Sequence, residues 1–455
     1  MYLEDRSAPP QPLPANRPRV AVIGSGVSGL AVAHTLRGWA HTTVYEAGSW
    51  FGGHAHTVDV TLNGPAGPTT HGVDTGFLVY NERTYPNLIN LLAELGVDTV
   101  PSDMSFSVQA PLSGGGRVEW NGSDLNTVFA QRRNLARPAF WRMLTDVVRF
   151  NRLATRLAQQ GDDPAQWMPM GDFLQLHGFS DAFRDWYFLP MIGSIWSCPT
   201  DQMLQFPVVT MLRFCHNHGL IQLTNRPQWR TVSGGSRVYV NKVVAGLSDA
   251  RLNTPVREVR RANNGGVLVV TDGRVEHFDR VVLACHSDQA LALLGGHATP
   301  QERAVLGAIR YQSNKAVLHT DSSVLPGQRT AWAAWNYERA PSLERESARV
   351  CLHYWINRLQ PLPFEQAVVV SLNPVRPLDE RQVLGTYDYA HPVFDLAAVE
   401  AQGHVASLQG HGGVHFCGAW TGYGFHEDGL KSGLQVARDV LLAVRGDTTT
   451  GATQP

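Results

Sequence analysis

Lysine is nearly absent from this chain. Only Lys242, Lys315 and Lys431 stand against 35 arginines in 455 residues. Excess charge of either sign is also missing: the formal net charge is −1, which gives no global pull toward nucleic acid or acidic partners and leaves any electrostatic role local. Cysteine is sparse as well. Cys198, Cys215, Cys285, Cys351 and Cys417 are odd in number, scattered and without CxxC spacing, so neither a disulfide framework nor a zinc site is indicated. No metal is expected, and a reducing cytoplasm is the expected setting. No apolar run approaches membrane-spanning length, and the proline-rich start (Pro9, Pro10, Pro12, Pro14, Pro18) has no run like a signal peptide. Residues 1–17 are expected to form a disordered leader and 447–455 a disordered tail. There is no internal repeat. A chain of 455 residues is too long for one core, so several domains are expected.

What is abundant is glycine, 43 residues, and its placement carries information. Residues 20–36 read as a buried strand, a GxGxxG turn at Gly24, Gly26 and Gly29, and a helix. The first glycine permits a tight turn, the second lets backbone approach a pyrophosphate, and the third lets helix pack on strand. Glycine-rich turns are common, but here a second strand follows at 42–46 and ends in Glu46, 17 residues past Gly29, where an acid can bind a ribose hydroxyl. The combination predicts a dinucleotide site, and the acid disfavours the 2′-phosphate of NADP.

Further along, Gly52-Gly53-His54, a strand near Val58–Leu62 and Asp74-Thr75-Gly76-Phe77 suggest backbone close to a ligand. Pro86–Gly96 reads as a helix. From about 125 to 228 apolar and aromatic residues recur at helical spacing, which predicts a helical insert. Strand signals return at Arg237–Val240, Arg251–Val259, Val267–Asp272 and Arg280–Cys285, with Asp272-Gly273 as a hairpin turn. A second set at 316–320, 331–337, 349–356 and 367–372 predicts an antiparallel sheet of another domain. Gly413–Gly418 is a last buried strand, followed by a helix from about Leu430 to Val444. The expected fold is therefore α/β: a Rossmann-like nucleotide domain (18–85, 232–296, 405–446) interleaved with an α+β substrate domain (86–231, 297–404). Such interleaving points to a flavoprotein, since a simple NAD dehydrogenase keeps its cofactor domain in one piece.

Four motifs together resemble the flavin amine oxidase superfamily of amine oxidases, protoporphyrinogen oxidases and phytoene desaturases. They are Val20–Leu36 with Glu46 and Gly52-Gly53; Ser233-Gly234-Gly235-Ser236 leading into Val238 and Val240; Val256, where the family's backbone meets adenine; and 414–418 with 428–433. The resemblance implies FAD, with contacts from Gly24, Gly26, Val27, Ser28, Gly29, Glu46, Gly52, Gly53, His54, Thr75, Gly76, Phe77, Val256, Gly418, Asp428, Gly429 and Leu430. A helix N-terminus near Gly429–Lys431 would offer its N–H groups to the N1/C2=O side of the ring. There are departures. Gly48 and His54 stand where many relatives carry arginines, Ala419 replaces an acid, and His426 replaces an aromatic residue that helps cage the amine. The whole pattern, with Asn217-His218-Gly219-Leu220, Trp335-Asn336-Tyr337 and Gly424–Gly429, is similar to a bacterial family of FAD-binding proteins related to the flavoprotein domain of plant cyclopropane fatty acid synthases. That likeness implies a lipid acyl substrate.

Oxidation of a C–H bond needs a group that handles the proton. Lys315 is one candidate, because its segment resembles the strand where amine oxidases keep a lysine near N5; an exposed strand-end lysine is the plain alternative. His426 and Glu427, between Gly424 and Gly429, are the others, against a simple capping role for Glu427 and Asp428. His216 and His218 have metal-like spacing but no third ligand, and a packed pair is expected. Cys285 and His286 read as structural. Trp332, Trp335, Tyr337, Tyr354 and Trp355 line a substrate tunnel or belong to ordinary core. Finally, seven arginines between Arg132 and Arg156 face a single acid, Asp146, along an apolar helical stretch. This fits either a solvated face or peripheral docking of 131–156 on the inner face of a membrane.

The expected activity is dehydrogenation or isomerisation of a lipid acyl chain by hydride transfer to flavin N5. Two alternatives stay open: an oxidase of an amine or other small molecule, and a flavin-stabilised partner of a lipid methyltransferase without turnover of its own.

Overall fold

The computed structural model describes residues 17–64, 67–112, 114–159, 168–197, 199–221, 227–340 and 350–450. The expected leader through residue 16, the segment 451–455 and Cys198 lie outside these. The chain divides into two compact units. The first takes the described residues through Gly53, then Tyr239–Ala308, and those from Ala401 on; the second takes His54–Val238 and Ile309–Glu400.

The first unit is built on a five-stranded parallel sheet in the order Asp249–Arg251, His41–Tyr45, Arg19–Ile23, Arg280–Leu283, Val414–Phe416. Its central strands, Arg19–Ile23 and Arg280–Leu283, are short apolar runs after their first residue because a parallel sheet is covered on both faces. Val20, Val22, Val44 and Val282 share one core with Val32, Ala33 and Leu36 of the helix Val27–Leu36 and with Val436 and Val440 of the helix His426–Thr450. That last helix starts earlier than expected and runs through 447–450, which the sequence reading gave to a tail. A three-stranded antiparallel meander, Val256–Arg261, Val267–Thr271 and Arg274–Phe278, turns at Asp272-Gly273 with Gly273 at φ +96°.

One expected strand is a helix. Arg237–Ala245 is helical, and Tyr239, Val240 and Val243 are buried at helical spacing, so core burial overrides the strand propensity of its valines.

In the second unit a seven-stranded sheet runs Val383–Val393, Arg310–His319, Val369–Leu372, Cys351–Trp355, Trp335–Glu338, Phe106–Pro111, Arg117–Asn121. It is not purely antiparallel as expected: Trp335–Glu338 pairs parallel with Phe106–Pro111. Parallel partners need a long crossover, and these two strands lie far apart in sequence. The helical insert is present, with Pro138–Gln159 as its longest helix and Phe140, Phe150, Phe183 and Phe188 in its core.

The expected boundaries also shift. The chain leaves the first unit after Gly53 rather than near residue 85, because the hairpin Thr57–Gly64 with Gly67–Asp74 is tied into the second unit. Asp74, at its end, accepts from Thr57 Oγ1 (2.6 Å), Ser236 N (2.9 Å) and Oγ (2.8 Å), and Gln360 Nε2 (2.8 Å).

Candidate active site

The strand Arg19–Ile23 lies between its neighbours at 41–45 and 280–283, and its carboxyl end opens at the point where the strand order reverses. Open α/β sheets bind ligands there. The chain turns at Gly24, φ +104°, whose N–H donates to the carbonyl of Tyr45 at 2.9 Å. A Cβ at Gly24 would lie 2.8 Å from the Ala284 carbonyl oxygen, and one at Gly29 would overlap the Gly24 carbonyl. Packing therefore requires both glycines. Gly26 is different, since a Cβ there would meet nothing within 4 Å. It is also the N-cap of the helix Val27–Leu36 and provides no side-chain cap for the first helical N–H groups. Uncapped donors on a positive dipole end, fronted by a glycine that protein packing does not require, fit a pyrophosphate.

Glu46 joins this loop directly. Its Oε2 accepts from Ser25 N (3.0 Å) and Ser25 Oγ (2.6 Å), and its Oε1 accepts from Gly48 N (2.8 Å). A carboxylate has about four lone-pair sites, so one acceptor position stays open for a ribose hydroxyl. Gly52 donates to the Ser25 carbonyl at 3.0 Å, which sets Gly52-Gly53 beside the turn. Val256 also belongs to this unit, as the first residue of its meander.

The C-terminal helix differs from expectation. It starts at His426, and Gly429 N–H already bonds the Phe425 carbonyl at 3.1 Å, so the helix N-terminus lies at 426–428 and Gly429 is already inside the helical hydrogen-bond ladder. Gly429 and Leu430 have structural duties. A Cβ at Gly429 would lie 2.8 Å from Val27 Cγ1, one at Gly433 would overlap the Ser28 carbonyl, and Leu430 is buried in the core. Asp428 accepts from Phe425 N at 3.0 Å, a capping contact, and burial pushes its carboxyl up to about 6. Gly418 N–H donates to Ser432 Oγ at 3.1 Å. His426 is not in a loop ahead of the helix but within its first turn, buried, with Nε2 2.7 Å from Tyr239 OH. Burial lowers its pKa to about 3, so it is a neutral ring at neutral pH. Glu427 is buried beside it.

His54, Thr75, Gly76, Phe77 and Lys315 lie in the second unit. Gly76 is glycine because a Cβ would overlap the His54 carbonyl, to which Phe77 N–H donates at 2.7 Å. Thr75 Oγ1 is 2.8 Å from Tyr389 OH and 2.9 Å from His56 Nδ1, which in turn is 3.2 Å from Tyr389 OH. Burial, with Arg237 adding to it, lowers His56 to about 4. The rings of Tyr389 and His391 lie 4.9 and 5.3 Å from that of His54, and His391 Nδ1 meets Asn314 Nδ2 at 2.9 Å. This polar and aromatic cluster was missed from sequence. Its signal was the alternation Tyr387, Tyr389, His391, which puts three rings on one face of a strand.

Lys315 does not join the cluster. It sits opposite Asp388, and both are exposed, whereas its neighbour Asn314 faces the rings. Strand alternation thus assigns the catalytic candidate to the other face. The aromatic residues read as tunnel lining or ordinary core divide between the two. Trp332 and Trp355 line a cavity of about 600 Å³ with Asp103, Asn121, Asp124, Arg329 and Arg358, a polar wall, while Tyr337 is core. His218 stacks on Phe214, centroids 4.0 Å apart, as a packed ring.

Among the described residues, Glu338, Cys351 and His353 come close enough to share an ion, a trio that sequence spacing did not suggest. His353 Nε2 is 3.0 Å from Glu338 Oε2 and 3.4 Å from Cys351 Sγ. Against burial, which lowers it, Cys351 and Glu338 push His353 up to about 9. Glu338 also contacts Arg376 Nε (2.8 Å) and an Arg117 guanidinium nitrogen (3.3 Å). Three cationic groups already balance this carboxylate, so the trio is an ion-pair network rather than a cation site.

Comparison with known proteins decides what the cradle serves. The model of the family Flavin containing amine oxidoreductase matches residues 27–441. The chain belongs to that family. It is an FAD-dependent oxidoreductase, and the Gly24–Gly29 loop with Glu46 has the geometry of a dinucleotide cradle. Solved structures of the same fold include the CLA-producing fatty acid isomerase from P. acnes (TM-score 0.63, 16% identity, 93% of this chain and 98% of that one). Another is the cyclohexylamine oxidase from Brevibacterium oxydans IH-35A (TM-score 0.65, 16% identity, 94% and 100%). In sequence, the chain is 27% identical over 345 residues to the Carotenoid phi-ring synthase of Streptomyces griseus, covering 70% of this chain and 62% of that protein. It thus spans less than two-thirds of that relative. Among the described residues no helix is long and apolar enough to cross a membrane.

Proposed function

We propose that this family member dehydrogenates or isomerises a long unsaturated hydrocarbon chain, with a lipid acyl chain as the preferred substrate. The observation that carries this reading is the 27% identity over 345 residues to a protein named for a carotenoid. Carotenoids and unsaturated acyl chains share an apolar chain with activated C–H bonds. The His426 site supports the reading, because a buried ring committed to Tyr239 replaces the aromatic residue expected to cage an amine. FAD supplies a two-electron acceptor when bound. For dehydrogenation it would take up the hydride while the proton leaves to a base or solvent and a C=C bond forms, and for isomerisation it would give the hydride back at another carbon, with no net oxidation.

The residues of the chain bind and position. The Val27 and Ser28 N–H groups would hold phosphate and Glu46 would hold the loop and a ribose, while the neutral His426, bonded to Tyr239, adds no charge. The test is anaerobic mixing of the purified yellow protein with unsaturated phospholipid, free unsaturated fatty acid, a polyene, and cyclohexylamine in separate samples. Bleaching of the flavin or a shifted double bond with one of the hydrocarbon substrates supports the reading. Bleaching by the amine alone, with every lipid unchanged, overturns it.

A further inference from the structure

The helix Pro138–Gln159 and the turns before it carry a surface that the oxidoreductase chemistry does not use. Its buried side is Phe140, Met143, Phe150 and Ala154, packed into the helical insert. Its outer side runs Trp141, Thr145, Val148, Arg152 at helical spacing, with Trp141 49% and Val148 37% exposed. Beside that line stand Arg142, Arg149 and Arg156, seven residues apart and therefore on one flank. The apolar part extends beyond the helix. Trp141 Nε1 donates to the carbonyl of Leu135, which is 50% exposed, and the Trp141 ring lies 5.3 Å from that of Phe129, at the end of the turn that begins with Leu125. On the other side Arg149 donates to the carbonyls of His177 and Gly178, just past the exposed Leu176.

Charge is segregated on the same surface. Seven arginines lie between Arg132 and Arg156 with one acid, Asp146, which is 1% exposed and held at 3.3 Å by both Arg142 and Arg149. In a chain of net charge −1, the remainder is correspondingly acidic. A solvated helix face would not need exposed Leu135, Trp141 and Val148 among its arginines. A helix with an apolar outer line flanked by arginine fits the boundary of an anionic bilayer, where rings and leucines enter the acyl edge and guanidiniums meet phosphates.

We propose that Leu135, Trp141 and Val148, flanked by Arg142, Arg149, Arg152 and Arg156, form a docking surface for an anionic phospholipid membrane. The proposal deepens the lipid reading above by naming where that lipid is met, and it rests on that reading for its purpose only. Docking is measured without turnover, so the two can fail separately.

The experiment is sedimentation of the FAD-loaded protein with vesicles of phosphatidylcholine alone, and of phosphatidylcholine mixed with phosphatidylglycerol. The expected result is binding to the anionic vesicles only, weakened by salt. Arg152→Glu with Arg156→Glu should weaken it by about 100-fold and Trp141→Ser by about tenfold, each variant keeping its flavin absorbance. Turnover of detergent-dispersed substrate by these variants should match the parent. Equal binding to both vesicle types, variants that bind like the parent, or binding to polyglutamate or single-stranded DNA without binding to anionic vesicles would overturn the proposal.

Discussion

Glu46 and Ser25 are joined twice. The Ser25 N–H and its hydroxyl both donate to Oε2 of Glu46, at 3.0 and 2.6 Å, while Oε1 accepts from Gly48. Both carboxylate oxygens therefore face N–H or O–H donors, and an amide cannot satisfy them together. Glu46→Gln should set its NH2 against a backbone N–H, loosen the glycine loop and weaken FAD binding by about tenfold to 100-fold. Equilibrium dialysis of the flavin checks this. An unchanged dissociation constant would remove Glu46 from the cradle.

The glycines of the cradle make opposite predictions. Gly26 has open space in front of it and φ −61°, so Gly26→Ala should fold with a melting temperature close to that of the parent apoprotein and yet bind FAD poorly, because its methyl enters the ligand's volume. Gly433→Ala should behave in the reverse way. Its Cβ would overlap the Ser28 carbonyl, forcing the first and last helices apart at a cost of about 2 kcal/mol or more before any ligand is added. Thermal denaturation of both apoproteins separates the two cases. Equal melting temperatures would contradict the distinction between ligand-facing and packing glycines.

The same contrast shows what could be read in advance. The Gly24, Gly26 and Gly29 spacing, the strand at 41–45 and Glu46 were legible because they obey local rules of turn, period and spacing. Gly429 reads in sequence as a ligand contact, and the structure gives it a packing role against Val27, because a glycine demanded by helix packing and one demanded by a ligand look alike in sequence. Arg237–Ala245 was misread for the opposite reason, since its valines favour a strand locally and burial makes them helical. Lys315 shows a third limit. Its segment resembles a strand that carries a lysine near the flavin, but the face of a strand on which a residue stands depends on register, and the pairing of exposed Lys315 with Asp388 was not legible. The cluster of His56, Thr75 and Tyr389 joins segments more than three hundred positions apart, beyond any local rule.

That placement has a direct test. Lys315 is exposed beside Asp388, so Lys315→Ala should leave turnover and stability within about twofold of the parent. Tyr389→Phe removes a hydroxyl shared by Thr75 and His56 inside the protein and should cost about 1 to 3 kcal/mol in a urea titration. A large loss of turnover in Lys315→Ala with stability intact would restore the lysine as a catalytic group.

Asp74 gives the clearest pH dependence. It is buried, and burial raises its carboxyl from 3.8 to about 6 despite the hydrogen bonds from Thr57 and Ser236 that favour the ionised form. A carboxyl that is harder to ionise in the folded state binds more protons there than in the unfolded chain. Its contribution is therefore fully present below about pH 4 and is lost as pH rises through about 6, a change of roughly 2 to 3 kcal/mol. The substitution Asp74→Asn leaves a neutral group at every pH, but it sets an amide donor against Gln360 Nε2. At pH 5 the variant should be less stable than the parent by about 1 to 3 kcal/mol, the cost of that lost acceptor. At pH 8 the deficit should shrink, because the parent then carries a buried charge that asparagine never acquires. Urea titrations of both proteins across this range measure the difference. Parallel curves, with a constant deficit from pH 5 to pH 8, would show that Asp74 is ionised throughout and that its hydrogen bonds outweigh its burial.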